Sequence, residues 1–114
     1  MISKELLSAV LGLHCGIKSI KNSKVIYWFD CIGEIREHSI NIYELAHKCK
    51  EWAFKYRYMI DSNISPTFKE VNNGMVGTSL IYNLNNMESK RFQSDTEPEA
   101  IFKACEWILT KDSK

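Results

Sequence analysis

The sequence has little of what divides a chain into separate units, since only two of its 114 residues are proline and five are glycine. So few of these residues leave no room for a long flexible linker, and the length is usual for one domain. We therefore expect a single domain over residues 1–114. No apolar run approaches the ~20 residues that a membrane-spanning helix needs. The amino-terminal segment, with Glu5 and no long apolar stretch behind it, lacks the pattern of a secretion signal.

Because both of these targeting patterns are missing, we expect a cytoplasmic protein with no membrane partner. An excess of one charge is missing too: 15 basic and 14 acidic residues give a formal net charge of +1. This balance provides no general attraction to nucleic acid or to an anionic membrane. The four cysteines include no pair at the two-residue gap of a zinc or redox motif: Cys15, Cys31, Cys49 and Cys105. We expect them to be reduced and mostly buried.

Two segments in the first half have the spacing and the end signals of helices. Ser3 is a suitable cap for a short first helix, and Gly12 is a suitable end. The second helix begins near Asn41, which stands three residues before Glu44 as in a capping box. Its apolar face runs from Leu45 to Tyr56 at helical spacing.

The last helix has the clearest start signal. Thr96 and Glu99 stand at capping-box spacing, and Pro98 lies in the first turn, where its missing N–H costs nothing. Four side chains then fall on one face: Ile101, Ala104, Cys105 and Ile108. Trp107 lies away from that face, so we expect it to be partly exposed. Such a helix requires a surface to pack on, and it predicts a domain with a core rather than a reaction.

Strand signals fill the two intervals between these helices. We predict strands over 14–20, 25–32, 35–39, 58–64, 68–71, 75–84 and 87–93. The apolar run Val25–Ile32 barely alternates, which indicates cover on both faces, at least in part. The order α-β-β-β-α-β-(β)-β-β-α with short turns favours antiparallel pairing. We therefore predict an α+β fold with three helices packed on one antiparallel sheet of about five or six strands.

The two later helices share a faint sequence similarity. The segment Lys48–Trp52 resembles the segment Lys103–Trp107, and each helix closes a strand-rich half of the chain. One interpretation is a duplicated β-β-(β)-α unit. The other is chance similarity between two amphipathic helices, which the one-position offset of the cysteine favours.

The segment Asp95–Ala104 resembles the closing part of the phage ABA-sandwich family, small proteins carried by bacteriophages and prophages. A short entry with threonine precedes a helix with an Ala-Ile-x-x-Ala-like core, and an earlier amphipathic helix, here Ile42–Tyr56, is followed by strands and turns. The resemblance covers roughly residues 40–110. It implies a sheet between helical layers, an α/β/α-type sandwich, and no catalytic residues. Its context implies a protein that binds a host factor, for example to inhibit a bacterial defence system.

No group of residues has the spacing of a metal or nucleophilic centre. His47 and Cys49 are two apart on a helix and point in different directions, so they do not readily share an ion. Cys15, beside His14, is the thiol that we expect to reach solvent. Without a partner that holds it as a thiolate, we favour an unreactive strand thiol over a catalytic one.

Acid–base and phosphate chemistry have no better support. Glu97 and Glu99 are explained by the start of the helix, while Glu34 and Glu37 lie in a polar turn and strand. Neither pair has the apolar surroundings that raise the pKa of one carboxyl. The segment Gly74–Gly77 has too few glycines for a phosphate-binding loop, and no helix follows it. We therefore expect no enzymatic activity, no metal ion and no cofactor.

Binding functions remain, and we favour a protein partner from a host or a phage. Tryptophan and tyrosine supply much of the energy at interfaces, and this chain has three tryptophans and five tyrosines. The candidate protein-binding surface is Phe102, Lys103 and Trp107. Homodimerisation through a strand edge or a helix face is a second form of the same prediction.

The alternative is a nucleic-acid-binding module. Its basic residues lie near the first hairpin and along the second helix: Lys18, Lys21, Lys24, Lys48, Lys50, Lys55 and Arg57. Tyr56 and Tyr58 flank Arg57, and aromatic rings beside basic groups can stack bases and pair with phosphates. Glu44 and Glu51 dilute the charge of the helix, as on an ordinary solvated face.

Overall fold

The computed structural model describes residues 2–66 and 75–112, which form three helices and six strands. In chain order these are α1 (Lys4–Leu11), β1 (Cys15–Lys21), β2 (Lys24–Cys31), β3 (Glu34–Asn41), α2 (Ile42–Lys55), β4 (Tyr58–Pro66), β5 (Met75–Asn83), β6 (Ser89–Ser94) and α3 (Glu97–Asp112). The predicted α+β class is confirmed. The strand predicted over 68–71 and the turn predicted at 72–74 lie outside the described residues.

The strands form two antiparallel sheets of three strands each, in the orders β1-β2-β3 and β4-β5-β6. The prediction of one sheet with five or six strands is therefore wrong. The physical reason is α2, whose 14 residues separate β3 from β4 by about 20 Å of helix. Strong strand and turn signals show that neighbours pair, but they do not show whether two meanders share an edge.

The element order β-β-β-α occurs twice, first as β1-β2-β3-α2 and then as β4-β5-β6-α3. This is the order of the duplicated unit, which the sequence similarity alone did not favour. The two closing helices pack against each other. Cys49 and Cys105, the cysteines of the similar segments, are both fully buried there, and the Cys105 thiol donates to the Cys49 carbonyl oxygen at 3.5 Å.

The predicted capping residues Ser3, Gly12, Asn41 and Thr96 are confirmed, whereas the Glu99 carboxylate accepts from Ser94 Oγ and not from the Thr96 N–H. Ser3 Oγ accepts a hydrogen bond from the N–H of Leu6 at 3.1 Å, and Gly12 closes α1 with a φ of 69°. Asn41 and Thr96 each accept a bond from an N–H in the first turn of α2 and α3, respectively. These caps satisfy backbone donors that the helices cannot satisfy internally.

The core lies between the helices and one face of each sheet. Its largest fully buried side chains include members of all three helices and both sheets: Phe102, Leu6, Leu7, Leu45, Ile81, Ile108 and Val25. α3 contacts α1, α2 and the whole second sheet. The start of the chain is attached to it, because the Ser3 N–H and hydroxyl both donate to the Glu106 carboxylate, at 3.0 and 2.7 Å.

The outer faces of the two sheets carry exposed side chains such as Ile35, Glu37 and Met59. Among the described residues, no helix therefore covers these faces. The α/β/α-type sandwich, with a sheet between two helical layers, is not what residues 2–66 and 75–112 form. One face of each sheet is left available for contacts outside the domain.

Candidate functional site

The outer face of the first sheet presents apolar side chains to solvent. Strand pairing aligns Trp28 with Gly16 and Glu37, and aligns Ile35 with Asp30, on the side opposite the core. Ile35 is 68% exposed, and Ile26 and Trp28 are half-buried. We call this surface the Trp28 face and define it as Lys18, Ile26, Trp28, Ile35 and Glu37.

The indole of Trp28 lies close against β1 at Gly16. A Cβ atom added at Gly16 would lie 2.5, 2.5 and 2.6 Å from three atoms of this ring, Cε2, Cζ2 and Nε1. These three consecutive atoms form one edge of the indole, so it is this edge that lies over Gly16. The His14 ring adds an edge-on contact, with centroids 5.8 Å apart and planes at 72°. Gly16 therefore makes room for an aromatic platform.

An open depression of about 530 Å³ adjoins this platform and is lined by Lys18, Trp28, Ile35, Arg36 and Glu37. Lys18 Nζ and Glu37 Oε1 form an ion pair at 2.6 Å, and both side chains are largely exposed. The pair balances its own charge at the edge of the depression. The apolar walls are therefore left to determine what the depression holds.

Positive charge lies at one end of the Trp28 face. Lys21 and Lys24 face each other at the β1–β2 turn, and Lys24 is also aligned with Asn41. Both lysines are exposed, and among the described residues no salt bridge involves either of them. A partner on this face therefore meets two unpaired ammonium groups beside an apolar centre.

The β2–β3 turn extends the same sheet with an unusual residue. Ile32 is 99% exposed and has a φ of 52°, followed by Gly33 at 80°. The left-handed region costs a non-glycine residue roughly 1–2 kcal/mol, and a branched Cβ makes it less favourable still. Burial does not compensate this cost, because the side chain contributes nothing to the core. Strain at an exposed apolar tip is typical of a residue kept for contact with another molecule.

The predicted surface of Phe102, Lys103 and Trp107 is only partly accessible. Phe102 is 1% exposed and belongs to the core, so its placement at the surface is wrong. The reason is that α3 is covered on two sides, by α2 and by the second sheet, and buries a wider face than one stripe. Lys103 is exposed and donates to the Gln93 carbonyl oxygen at 2.8 Å. Trp107 is half-buried beside a small cavity.

The seven basic residues of the nucleic-acid prediction do not form one patch. Lys18, Lys21 and Lys24 lie along the first hairpin, on or beside the Trp28 face. The other four lie on α2 or just after it, on the core side of the sheet: Lys48, Lys50, Lys55 and Arg57. The structure therefore brings together the first three lysines and separates them from the rest.

Of the side chains considered for chemistry, Cys15 and Cys49 are buried, whereas Glu37 and Glu99 each border an open depression. Cys15 is buried on the core face opposite Phe29, with its sulfur 3.3 Å from Ser8 Oγ, so the prediction that it reaches solvent is wrong. Cys105 is also unreactive. A hydrogen bond with Cys49 and then burial raise the pKa of the Cys105 thiol, which therefore stays neutral. Within residues 2–66 and 75–112, no three His, Cys, Asp or Glu side chains are grouped to hold a metal ion.

None of the described helices combines the length and apolarity needed to span a bilayer.

Within the Trp28 face, the sequence assigned only Lys18 to a binding surface; it missed Ile26, Trp28, Ile35 and Glu37, and also the neighbouring Gly16 and Ile32. A glycine inside a strand indicates close approach of another group, and this was the one usable signal.

Comparison with protein-family models, curated proteins and solved structures found no match to this chain. The resemblance to phage ABA-sandwich proteins therefore stays a prediction.

Proposed function

We propose that this chain is a non-enzymatic accessory protein of the phage or prophage type that binds a host or phage protein through the Trp28 face. The observation that carries the proposal is the half-buried indole of Trp28, which lies on Gly16 beside the exposed Ile35. Aromatic and apolar anchors with a polar rim are what specific protein interfaces use. The expected setting is the cytoplasm of the host cell, and inhibition of a bacterial defence system is the specific form of this function.

The chemistry of the face defines the partner. The open depression of about 530 Å³ takes an apolar side chain, which would lie against Trp28 and Ile35. The unpaired ammonium groups of Lys21 and Lys24 favour acidic residues at one end of the partner surface. The partner is therefore a protein that presents an apolar side chain next to carboxylates.

The test compares Ile35→Asn with Ile64→Asn, because Ile64 is 60% exposed on the other sheet and makes a matched control. Tagged wild-type and variant proteins are used to capture partners from a bacterial lysate, and each captured protein is then purified and titrated directly. We expect binding to the wild type and to Ile64→Asn, and loss of binding to Ile35→Asn. A second copy of the chain as the partner would appear as a wild-type dimer that Ile35→Asn dissociates.

Equal capture by all three proteins, or capture by none at any salt concentration, would contradict the proposal. Circular dichroism and urea unfolding of each variant separate loss of binding from loss of folding. Both isoleucines are exposed, so we expect neither substitution to change the free energy of unfolding by more than about 0.5 kcal/mol.

Single-stranded nucleic acid is a second candidate, favoured by one observation. Lys18 lies beside the half-buried indole of Trp28, which can stack on a base, and Lys21 and Lys24 lie at one end of the same sheet face. Labelled oligothymidylate is the probe, and the variant Lys21→Gln/Lys24→Gln is compared with Lys48→Gln/Lys55→Gln on α2. Nucleic-acid binding predicts an affinity that falls steeply with salt and is lost only in the hairpin variant. Retention of a protein partner at salt concentrations that release the oligonucleotide favours the first proposal.

A further inference from the structure

A smaller cavity opens where the end of α3 lies over the second sheet. Its volume is about 160 Å³. Tyr58, Ile81 and Trp107 form the apolar walls, and the charged groups at its border belong to Glu88, Lys90 and Lys111. The cavity lies on the core side of β4–β6, away from the Trp28 face. It is therefore independent of the surface to which the proposed function is assigned.

The indole of Trp107 is held in a fixed position by other rings. Tyr58 meets it edge-on, with centroids 5.9 Å apart and planes at 81°, and Phe92 lies at 6.3 Å. Tyr58 is buried, so its ring cannot turn away without disturbing the core. The apolar wall is formed before any ligand arrives, which lowers the ordering cost of binding.

Two lysines approach this same indole. The Lys90 ammonium lies 5.1 Å from the ring centroid, and the Lys111 ammonium lies 4.8 Å from it. The ring attracts each cation, but it cannot neutralise either charge. Neither lysine forms a salt bridge with any described acidic side chain. The cavity thus has two ammonium groups with unused capacity for an anion.

Charge and volume together select the ligand. Two ammonium groups and the single carboxylate of Glu88 leave the cavity with one net positive charge, which a monoanion balances and a dianion exceeds. A cavity of roughly 150 Å³ holds one benzene-sized ring. We infer that this cavity is a binding site for a small planar monocarboxylate, with its ring against Trp107 and Tyr58 and its carboxylate at Lys90 and Lys111.

A second depression borders α3 and differs from the Trp107 cavity in its charge. It is lined by Phe92, Glu99, Phe102, Lys103 and Glu106. Each of its charged side chains already has a partner within the protein, since Glu99 accepts from Ser94, Glu106 from Ser3, and Lys103 donates to Gln93. That depression has two carboxylates and one ammonium, so its net negative charge disfavours an anion, whereas the net positive charge of the Trp107 cavity attracts one.

The test follows the indole N–H resonance of Trp107 in the full chain, assigned by its absence in Trp107→Phe. Benzoate is the probe, benzyl alcohol is the neutral analogue of nearly the same shape, and inorganic phosphate reports on anion binding without a ring. We expect a saturable shift with benzoate and binding of benzyl alcohol and phosphate that is at least roughly fivefold weaker. Equal affinity for benzoate and benzyl alcohol, or no shift with benzoate, overturns the inference.

Lysine variants provide the second arm. Lys90→Gln and Lys111→Gln should each weaken benzoate binding roughly fivefold, while Lys103→Gln, on the same helix as Lys111 but outside the cavity, should not. All three lysines are exposed, so the variants are expected to fold. Unchanged affinity in both cavity variants overturns the assignment of the carboxylate. Ile35→Asn leaves this binding intact, which separates failure here from failure of the proposed function.

Discussion

Trp28 lies on Gly16: the space that a methyl group would occupy at Gly16 is taken by the indole of the residue aligned with it on β2. This relationship explains how an apolar ring remains half-buried on a face that none of the described helices covers. The ring edge that lies over Gly16 is removed from water by the backbone of β1, and the ring as a whole remains partly exposed. The platform therefore depends on the absence of a single Cβ atom.

Gly16→Ala should displace the Trp28 ring. The added Cβ would lie 2.5 Å from ring atoms, and a half-buried side chain can rotate outward, so we expect a cost of only about 1 kcal/mol in the free energy of unfolding. Urea unfolding measures this cost, and near-ultraviolet circular dichroism reports the loss of the fixed indole. Partner binding through the Trp28 face should fall in parallel. An unchanged near-ultraviolet spectrum would show that the ring is not held by Gly16.

Gly77→Ala should be far more damaging, although Gly77 is also a strand glycine. A Cβ here would overlap the backbone of Thr96 and Glu97, where α3 begins. Backbone at a helix start cannot rotate away as a side chain does, so we expect a loss of at least about 3 kcal/mol. Urea unfolding of the two alanine variants side by side is the measurement. Similar costs at both positions would contradict the distinction.

Ile32→Asn should stabilise the protein by about 1 kcal/mol, because asparagine followed by Gly33 suits a turn with positive φ values. Met87→Asn is the matched control, since Met87 has a φ of 62° and is 72% exposed on the second sheet. Both variants should gain stability in thermal unfolding. Only Ile32→Asn should reduce partner binding, because Ile32 lies at a turn of the sheet that carries the Trp28 face and Met87 does not. Absence of a gain in both variants would show that these turns carry no strain.

Alkaline pH should destabilise the fold through Cys105. Its pKa is raised above the ordinary 9.0, so the folded state keeps a proton that the unfolded state loses. This contribution is fully present below pH 9 and is lost as pH rises, with a slope approaching about 1.4 kcal/mol per pH unit. Burial, then Cys15 and then Glu44 raise the pKa of Tyr27 from 10.0, which steepens the loss above pH 10.

Urea unfolding between pH 8 and pH 10 measures this dependence. Cys105→Ala should flatten the curve between about pH 9 and pH 10. Cys31→Ala, which removes a partly exposed thiol, serves as the control and should leave the curve unchanged. A wild-type stability that stays constant up to pH 10 would contradict the raised pKa.

Local signals predicted the elements well because their causes are local. A cap such as Ser3 or Thr96 acts on an N–H three residues away, so its effect can be predicted from a short window. The division of the strands into two sheets goes together with the packing of α2 against α3. These two helices are too far apart in sequence for any short segment to contain both. The apolar run Val25–Ile32 predicted cover on both faces, but the structure buries Val25 and Tyr27 and leaves Trp28 partly open.

The candidate site was harder to predict for the same reason. The lysines of the first hairpin are neighbours in sequence, so their grouping could be predicted. Phe102 and Cys15 were predicted to lie at the surface, but both are buried. The sequence of one helix or one strand does not show how many other elements will pack against it. Ile35 carries no local signal at all, since its exposure depends on whether an element distant in sequence packs over the first sheet.

The carboxylate of Glu106 holds Ser3 across 103 positions of sequence. Because α3 also contacts α1, α2 and the second sheet, the hydrophobic core is incomplete until that helix has been synthesised. During translation, α1 and α2 therefore leave the ribosome before the helix that packs on both of them. Until α3 follows, their apolar sides are open to chaperones and proteases.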